Sequence, residues 1–275
     1  MSAASPTSAA TAGTCAVTTR RGIEGRVRTL GDPGAPPLVY LHGAGGLLPS
    51  EPVLDRLAER FAVYAPQWPG FGEEQTEGHL EDMLDFALHG WDLIDALGLD
   101  RPYLAGHSMG GMIAAEMAAL NPQGLRGLAL VGAAGLWLDE HPVPDIFAMV
   151  PFELAEHLFV DPQAGEAVLT AGLDFRDDDA LKQFLVGNAR RMGTAGKILF
   201  PIPNRRLSKR LYRLTTPTVL VWGRHDRLFP PVYAERYRAL LTATEARLVV
   251  VDDAAHMLPY EQPDATAAAV ASLLG

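Results

Sequence analysis

The sequence predicts an α/β fold: a mostly parallel central sheet flanked by helices, carrying a mainly helical insertion. Three observations point there. Short β-rich runs alternate with helical stretches, the pattern produced by a parallel sheet covered by crossover helices. Several of those runs are continuously apolar, as strands buried on both faces must be. One interval of about 80 residues interrupts the alternation where a single crossover helix would suffice.

Residues 1–16 are mostly Ala, Ser and Thr. With so little apolar bulk they predict a disordered N-terminal tail, at whose edge Cys15 is an incidental free thiol. The core then spans 17–132 and 215–275. Its strands are expected at Gly25 to Leu30, Leu38 to Leu41, Ala62 to Ala65, Pro102 to Ala105, Leu128 to Val131, Thr218 to Trp222 and Arg247 to Val251. Helices fall between them, at about Val53 to Arg60, Leu80 to Leu97, Met109 to Leu120, Pro231 to Leu241 and Ala265 to Leu274. The insertion, 133–214, holds helix-like pieces around Asp145 to Leu158, Gln163 to Leu173 and Asp179 to Arg191, punctuated by prolines. Ligands of open α/β sheets bind beyond the carboxyl ends of the strands, so an insertion leaving one of those ends is placed to roof a site.

Composition narrows the function classes. The chain has 275 residues, 48% hydrophobic and 20% charged, enough for one domain with a sizeable core. A net charge of −10 repels nucleic acid and anionic membrane surfaces. The basic stretch Arg205, Arg206, Lys209, Arg210 and Arg213 reads as a solvated helix face, with one wall of a site as the alternative. A single cysteine excludes an intrachain disulfide and a multi-cysteine metal site. No apolar run approaches the roughly 20 residues that span a bilayer, and the N-terminus lacks a signal core, so the expectation is a soluble, cytoplasmic protein without membrane insertion.

The chemistry concentrates where strands end. Gly106-His107-Ser108-Met109-Gly110-Gly111 follows the strand Tyr103-Leu104-Ala105 and opens a helix. A nucleophile on so sharp a turn takes strained backbone angles and needs almost no side chain two positions before and two after it, which Gly106 and Gly110 supply. A serine hydroxyl also needs a base, normally a histidine held by a carboxylate. His256 follows the last apolar strand. Asp226 follows Thr218-Val219-Leu220-Val221 within Trp222-Gly223-Arg224-His225-Asp226. His79, His89, His141 and His157 lack a motif; His107 and His225 flank the nucleophile and the acid as pocket-wall or structural groups; His42 shapes the glycine loop that follows it.

At Ser108, Asp226 and His256, in that chain order, the sequence resembles the α/β-hydrolase superfamily, over about Gly25 to Leu274. The resemblance implies an esterase- or lactonase-like serine hydrolase. Ser108 is then the nucleophile, His256 the general base and Asp226 the orienting acid. His42-Gly43-Ala44-Gly45-Gly46 looks like the family's oxyanion loop, which implies that the backbone N–H groups of Ala44 and Met109 stabilise the oxyanion. Gly45, His107, Leu228 and Met257 are expected in the substrate pocket, and 133–214 looks like the family's cap. Pro69-Gly70-Phe71-Gly72 looks like a family turn, in which many members carry Asp where this chain has Gln67.

The activity so implied is acyl transfer to water, from a small-molecule ester or lactone and with no metal or organic cofactor. Epoxide hydrolases and haloalkane dehalogenases of this fold use Asp as nucleophile, which Ser108 argues against. Met257 stands where hydroxynitrile lyases carry Lys and many carbon–carbon hydrolases carry Trp. The alternatives are a carbon–carbon hydrolase of ring-fission diketones, for which Arg190 or Arg191 could hold a substrate carboxylate, and a ligand-binding receptor that keeps the triad. Oligomeric state is not legible.

Overall fold

The computed structural model describes residues 12–72 and 77–275. Among these, eight strands form one sheet: β1 (Gly13–Thr18), β2 (Glu24–Leu30), β3 (Pro37–Leu41), β4 (Ala62–Pro66), β5 (Tyr103–His107), β6 (Gly127–Val131), β7 (Thr218–Gly223) and β8 (Ala246–Val251). Their spatial order is β1-β2-β4-β3-β5-β6-β7-β8. β3 to β8 run parallel, while β1 pairs β2 and β2 pairs β4 in antiparallel register. Every residue of β6 and β7 is buried, as expected of central strands that read as unbroken apolar runs.

Strand β1 corrects the expected boundary of the tail. Gly13–Thr18 pairs in full with β2, setting Cys15 opposite Val27. An edge strand with alternating exposure needs little apolar bulk, and Val17 alone packs on the core, so composition concealed it. Residues 1–11 of the expected tail lie outside the described residues.

Helices cover both faces. α2 (Met83–Ala96), α3 (Met109–Leu120) and α7 (Val232–Leu240) share one hydrophobic cluster with the inner faces of β3, β5, β6 and β7. α1 (Pro52–Leu57), the short α8 (Leu258–Glu261) and α9 (Pro263–Ala271) close the opposite cluster. Between β6 and β7 lie α4 (Pro151–Leu158), α5 (Pro162–Leu169) and α6 (Asp178–Leu199). α4 starts at Pro151, later than the expected Asp145, because proline suits the first helical position, where its missing N–H costs nothing. α6 runs to Leu199, past the expected Arg191; its buried residues, Thr194, Ala195, Ile198 and Leu199, all lie in that extension.

The basic stretch is not a helix face. Residues Leu207–Lys209 and Leu211–Arg213 form two short 3₁₀ turns clasped to α3. Arg210 forms a two-pronged ion pair with the buried Glu116 of α3, its Nε 2.7 Å from Oε2, and Arg213 Nε donates to Ala119 O at 2.9 Å. Among the described residues, no helix is long and apolar enough to cross a membrane.

Candidate active site

Sharp turns at the carboxyl ends of β5, β7 and β8 bring three distant side chains together. Ser108 follows β5 with φ 54° and ψ −116°, a conformation costly for any residue with a side chain. What makes the turn possible is space. A Cβ on Gly106 would lie 2.3 Å from Gly110 O, and one on Gly110 would lie 2.2 Å from Leu41 O. Both positions therefore require glycine through close backbone approach.

Ser108 Oγ is 2.9 Å from His256 Nε2, and His256 Nδ1 is 2.9 Å from Asp226 Oδ2. The carboxylate can only accept, so Nδ1 carries the proton and Nε2 presents its lone pair to the serine. Asp226 is fixed by its other oxygen, Oδ1, which accepts from Leu228 N at 2.9 Å and Phe229 N at 2.8 Å. All three side chains are buried. Asp252 and Asp253, closer to His256 in sequence, are both exposed, and Asp252 is paired with Arg224.

The histidine loop is held from outside the three residues. Glu261 Oε2 accepts from Ala255 N at 2.8 Å, and its Oε1 accepts from Val160 N at 2.7 Å in the inserted segment. His107 Nε2 donates to His256 O at 2.9 Å. Burial, and then the neighbouring His256, push the His107 imidazole down to about 3, so it is neutral at pH 7. His42 donates through Nδ1 to Gly43 O at 2.8 Å and accepts from Trp68 N at 3.3 Å, and burial pushes it down to about 4. It is thus a neutral loop-shaping residue. His225 is exposed and lines neither cavity at the serine.

Ala44 sits in the turn closed by Gly46 N to Gly43 O at 3.1 Å. Met109 is the first residue of α3, where an N–H has no partner within the helix and the helix dipole favours negative charge. A cavity of about 240 Å³ opens over Ser108 and His256. Gly45, His107, Leu228 and Met257 line it, as do Phe147, Met149, Leu154 and Leu158 of the inserted segment. Trp137 does not; its indole donates to Asp139. The side chain of Phe152 lies outside those described. Among the described residues no group of three or more His, Cys, Asp or Glu could hold a metal ion.

Of the two arginines that the sequence offers as carboxylate holders, the structure brings one to the cavity, and sequence reasoning missed several further lining groups. Arg191 of α6 lines the cavity, with its Nε buried and without a hydrogen-bond partner, and burial lowers the guanidinium from its ordinary value. Arg190 does not line it. Asn188, one turn earlier, shares that wall. Opposite in origin, Tyr40, Glu51 and Tyr260 come from the core. Glu51 Oε1 accepts from Leu48 N at 3.0 Å and its carboxyl is hydrogen-bonded to Tyr260; burial outweighs these and pushes it up to about 7. Helical spacing along Phe184, Asn188, Arg191 and Met192 is the one signal that could have grouped the α6 residues.

Known proteins agree with this architecture. A model of the alpha/beta hydrolase fold matches residues 36–263. The chain is 30% identical, over 84% of its length, to the dihydrolipoyllysine-residue acetyltransferase component of an acetoin cleaving system from Pseudomonas putida, of which it spans 61%. It is 28% identical, over 80% of its length and 88% of the relative's, to a pimeloyl-[acyl-carrier protein] methyl ester esterase from Aeromonas hydrophila. A solved 2-hydroxy-6-oxo-6-phenylhexa-2,4-dienoate hydrolase from Rhodococcus superposes with a TM-score of 0.77, at 23% identity, covering 96% of this chain and 99% of that one. Sheet order, serine turn and family match together place the chain in the α/β-hydrolase fold family.

Proposed function

We propose that the protein is a serine hydrolase that cleaves a small carboxylic ester or lactone through an acyl-enzyme, with residues 133–214 as its cap. The observation that carries this is the unbroken line from Asp226 through His256 to Ser108, two contacts of 2.9 Å each, at the floor of a cavity. His256 Nε2 takes the Ser108 proton as Oγ attacks the carbonyl carbon. The backbone N–H groups of Ala44 and Met109 receive the developing oxyanion, assisted by the α3 N-terminus. The imidazolium, stabilised by Asp226, protonates the departing alcohol, and water, deprotonated by the same nitrogen, then releases the acid and restores Ser108. A relative named as a methyl ester esterase supports the reading.

A fluorophosphonate should label Ser108 alone, and Ser108→Ala should lower ester turnover roughly 10⁴-fold or more. Peptide mapping that finds the adduct on another serine, or undiminished turnover by the variant, overturns the assignment.

One observation favours a second reading, carbon–carbon hydrolysis of a ring-fission diketone. Arg191 lines the cavity half-buried, with its Nε buried and without a hydrogen-bond partner, and its guanidinium is a group with which a substrate carboxylate could pair. Side-by-side turnover of p-nitrophenyl esters and a vinylogous diketone acid separates the two: the ester reading expects faster ester cleavage, and the reverse ranking installs the second.

A further inference from the structure

The serine stands between two cavities of unequal size. The larger, about 240 Å³, runs beneath α4 and α6. The smaller, about 30 Å³, lies toward Val143, Pro144, Leu199, Pro201 and Pro203. Four residues line both: Ser108, Ile146, Phe147 and Leu228. The nucleophile is therefore at the junction, and Ile146, Phe147 and Leu228 form the partition on either side of it.

We propose that these three side chains divide the two halves of an unsymmetrical ester. The smaller arm takes the shorter half, of one or two carbons, and the larger arm takes an extended apolar half. This rests on the hydrolase reading and sharpens its substrate class. The volumes carry the asymmetry: the smaller arm has about the room of one water molecule or methyl group, against the roughly 150 Å³ that admits a benzene ring elsewhere. Ala134, Val143, Leu199 and Phe229 give it mostly apolar walls, and the Asp145 carboxylate that also lines it accepts from Phe147 N, so a short alkyl group fits by chemistry as well as by size.

The partition is braced. Phe147 N donates to Asp145 Oδ1 at 3.0 Å and Ala148 N to Asp145 O at 3.2 Å, which fixes the backbone that carries Ile146 and Phe147. The Phe147 ring meets Phe200 edge-on at 5.6 Å, and a Cβ on Gly196 would touch that same ring at 3.7 Å. Leu228 is fixed by its N–H bond to Asp226. A braced wall rejects extra methylenes where a mobile one would yield.

The test uses p-nitrophenyl phosphonates whose alkyl and alkoxy groups vary independently, because they report on fit around Ser108 whatever bond the natural substrate contains. The expected result is fast labelling when either group is methyl or ethyl and the other is hexyl. Labelling should be roughly 10- to 100-fold slower when both are butyl or longer. Ile146→Ala should speed the slow reagents relative to the small ones, closing the gap between them by roughly 10-fold or more. Phe147→Leu, which keeps an apolar side chain against α6, provides a second reading if the first variant folds poorly. Equal rates for all reagents with wild-type protein, or an unchanged ranking in both folded variants, overturn the partition and leave the hydrolase reading intact. Absence of any adduct on Ser108 overturns both.

Discussion

Helix α3 begins just after Ser108, and α6 contributes Phe184, Asn188, Arg191 and Met192 to the wall of the cavity over that serine; the two helices are built on opposite principles. From Met109 to Ala119 every residue of α3 is buried, and the chain tolerates even Glu116 there by pairing it with Arg210. The longer α6 buries only four residues, all in its last turns, and exposes Leu185 and Val186 by more than half, at 54% and 61%. The difference separates two tasks. Residues behind the serine are fixed from all sides, so they can hold reacting groups to hydrogen-bond tolerance. Residues over it contact few neighbours, so they can vary and set which substrate fits without disturbing the chemistry.

The largest expected effect tests the fixed side. Asp226→Asn should lower turnover roughly 10⁴-fold, because an amide at Oδ2 favours the wrong imidazole tautomer. Asp252→Asn and Asp253→Asn should stay near wild type, since both side chains are exposed and one is paired with Arg224. Initial rates of the folded variants decide it. A near-normal rate for Asp226→Asn, with collapse of either other variant, would remove the orienting role from the β7 turn.

What was legible in the sequence follows the same division. Gly106 and Gly110 are readable because a Cβ there would lie 2.3 and 2.2 Å from backbone oxygens, so only glycine fits, and the constraint leaves a pattern. The order of Ser108, Asp226 and His256 is readable because each ends an apolar strand. Glu51 and Tyr260 are not, because their position at the cavity depends on how the loop after β3 and α8 converge; Arg191 is readable only as one of a pair with Arg190, since which of the two faces inward depends on how α6 packs. Strand β1 escaped for a different reason: an edge strand satisfies its backbone through β2 while its side chains stay mostly exposed, so it carries no apolar run.

A second prediction concerns burial on the core side of the cavity, which is deep enough to move protons. Glu51 is pushed up to about 7 from 4.5, with Tyr40, Tyr260 and Arg28 as the groups that face it. A carboxyl raised in the folded state leaves stability fully present below its unfolded value, and that stability is lost as pH rises from 4.5 through about 7. The cost of ionised Glu51 at pH 8 is up to ~3 kcal/mol. His42, His89 and His107, all lowered by burial, change stability in the opposite sense over part of that range. Glu51→Gln keeps those histidines, so the difference between variant and wild type isolates the carboxyl. Urea denaturation at pH 5, 6, 7 and 8 should show the variant gaining on wild type as pH rises. A difference that does not change with pH would mean that Glu51 stays ionised throughout.

The smallest expected effect sharpens the comparison from the side of α6. Its Gly193 lies inside the helix, is exposed and would place a Cβ with nothing within 4 Å, whereas a Cβ on Gly110 of α3 would strike a backbone oxygen at 2.2 Å. In an exposed helix interior, glycine costs roughly 0.5–1 kcal/mol relative to alanine, because the unfolded chain gives up more freedom. Gly193→Ala should therefore stabilise the protein by about that amount. It should leave ester turnover unchanged, because Gly193 does not line the cavity. Thermal and urea unfolding report the first effect and initial rates the second. A loss of stability would show that α6 is constrained by contacts at this face, and the contrast drawn between the two helices would fail there. A gain in stability with lower turnover would break it differently: α6 would then need freedom to admit substrate, and its loose packing would serve entry to the site as well as selection.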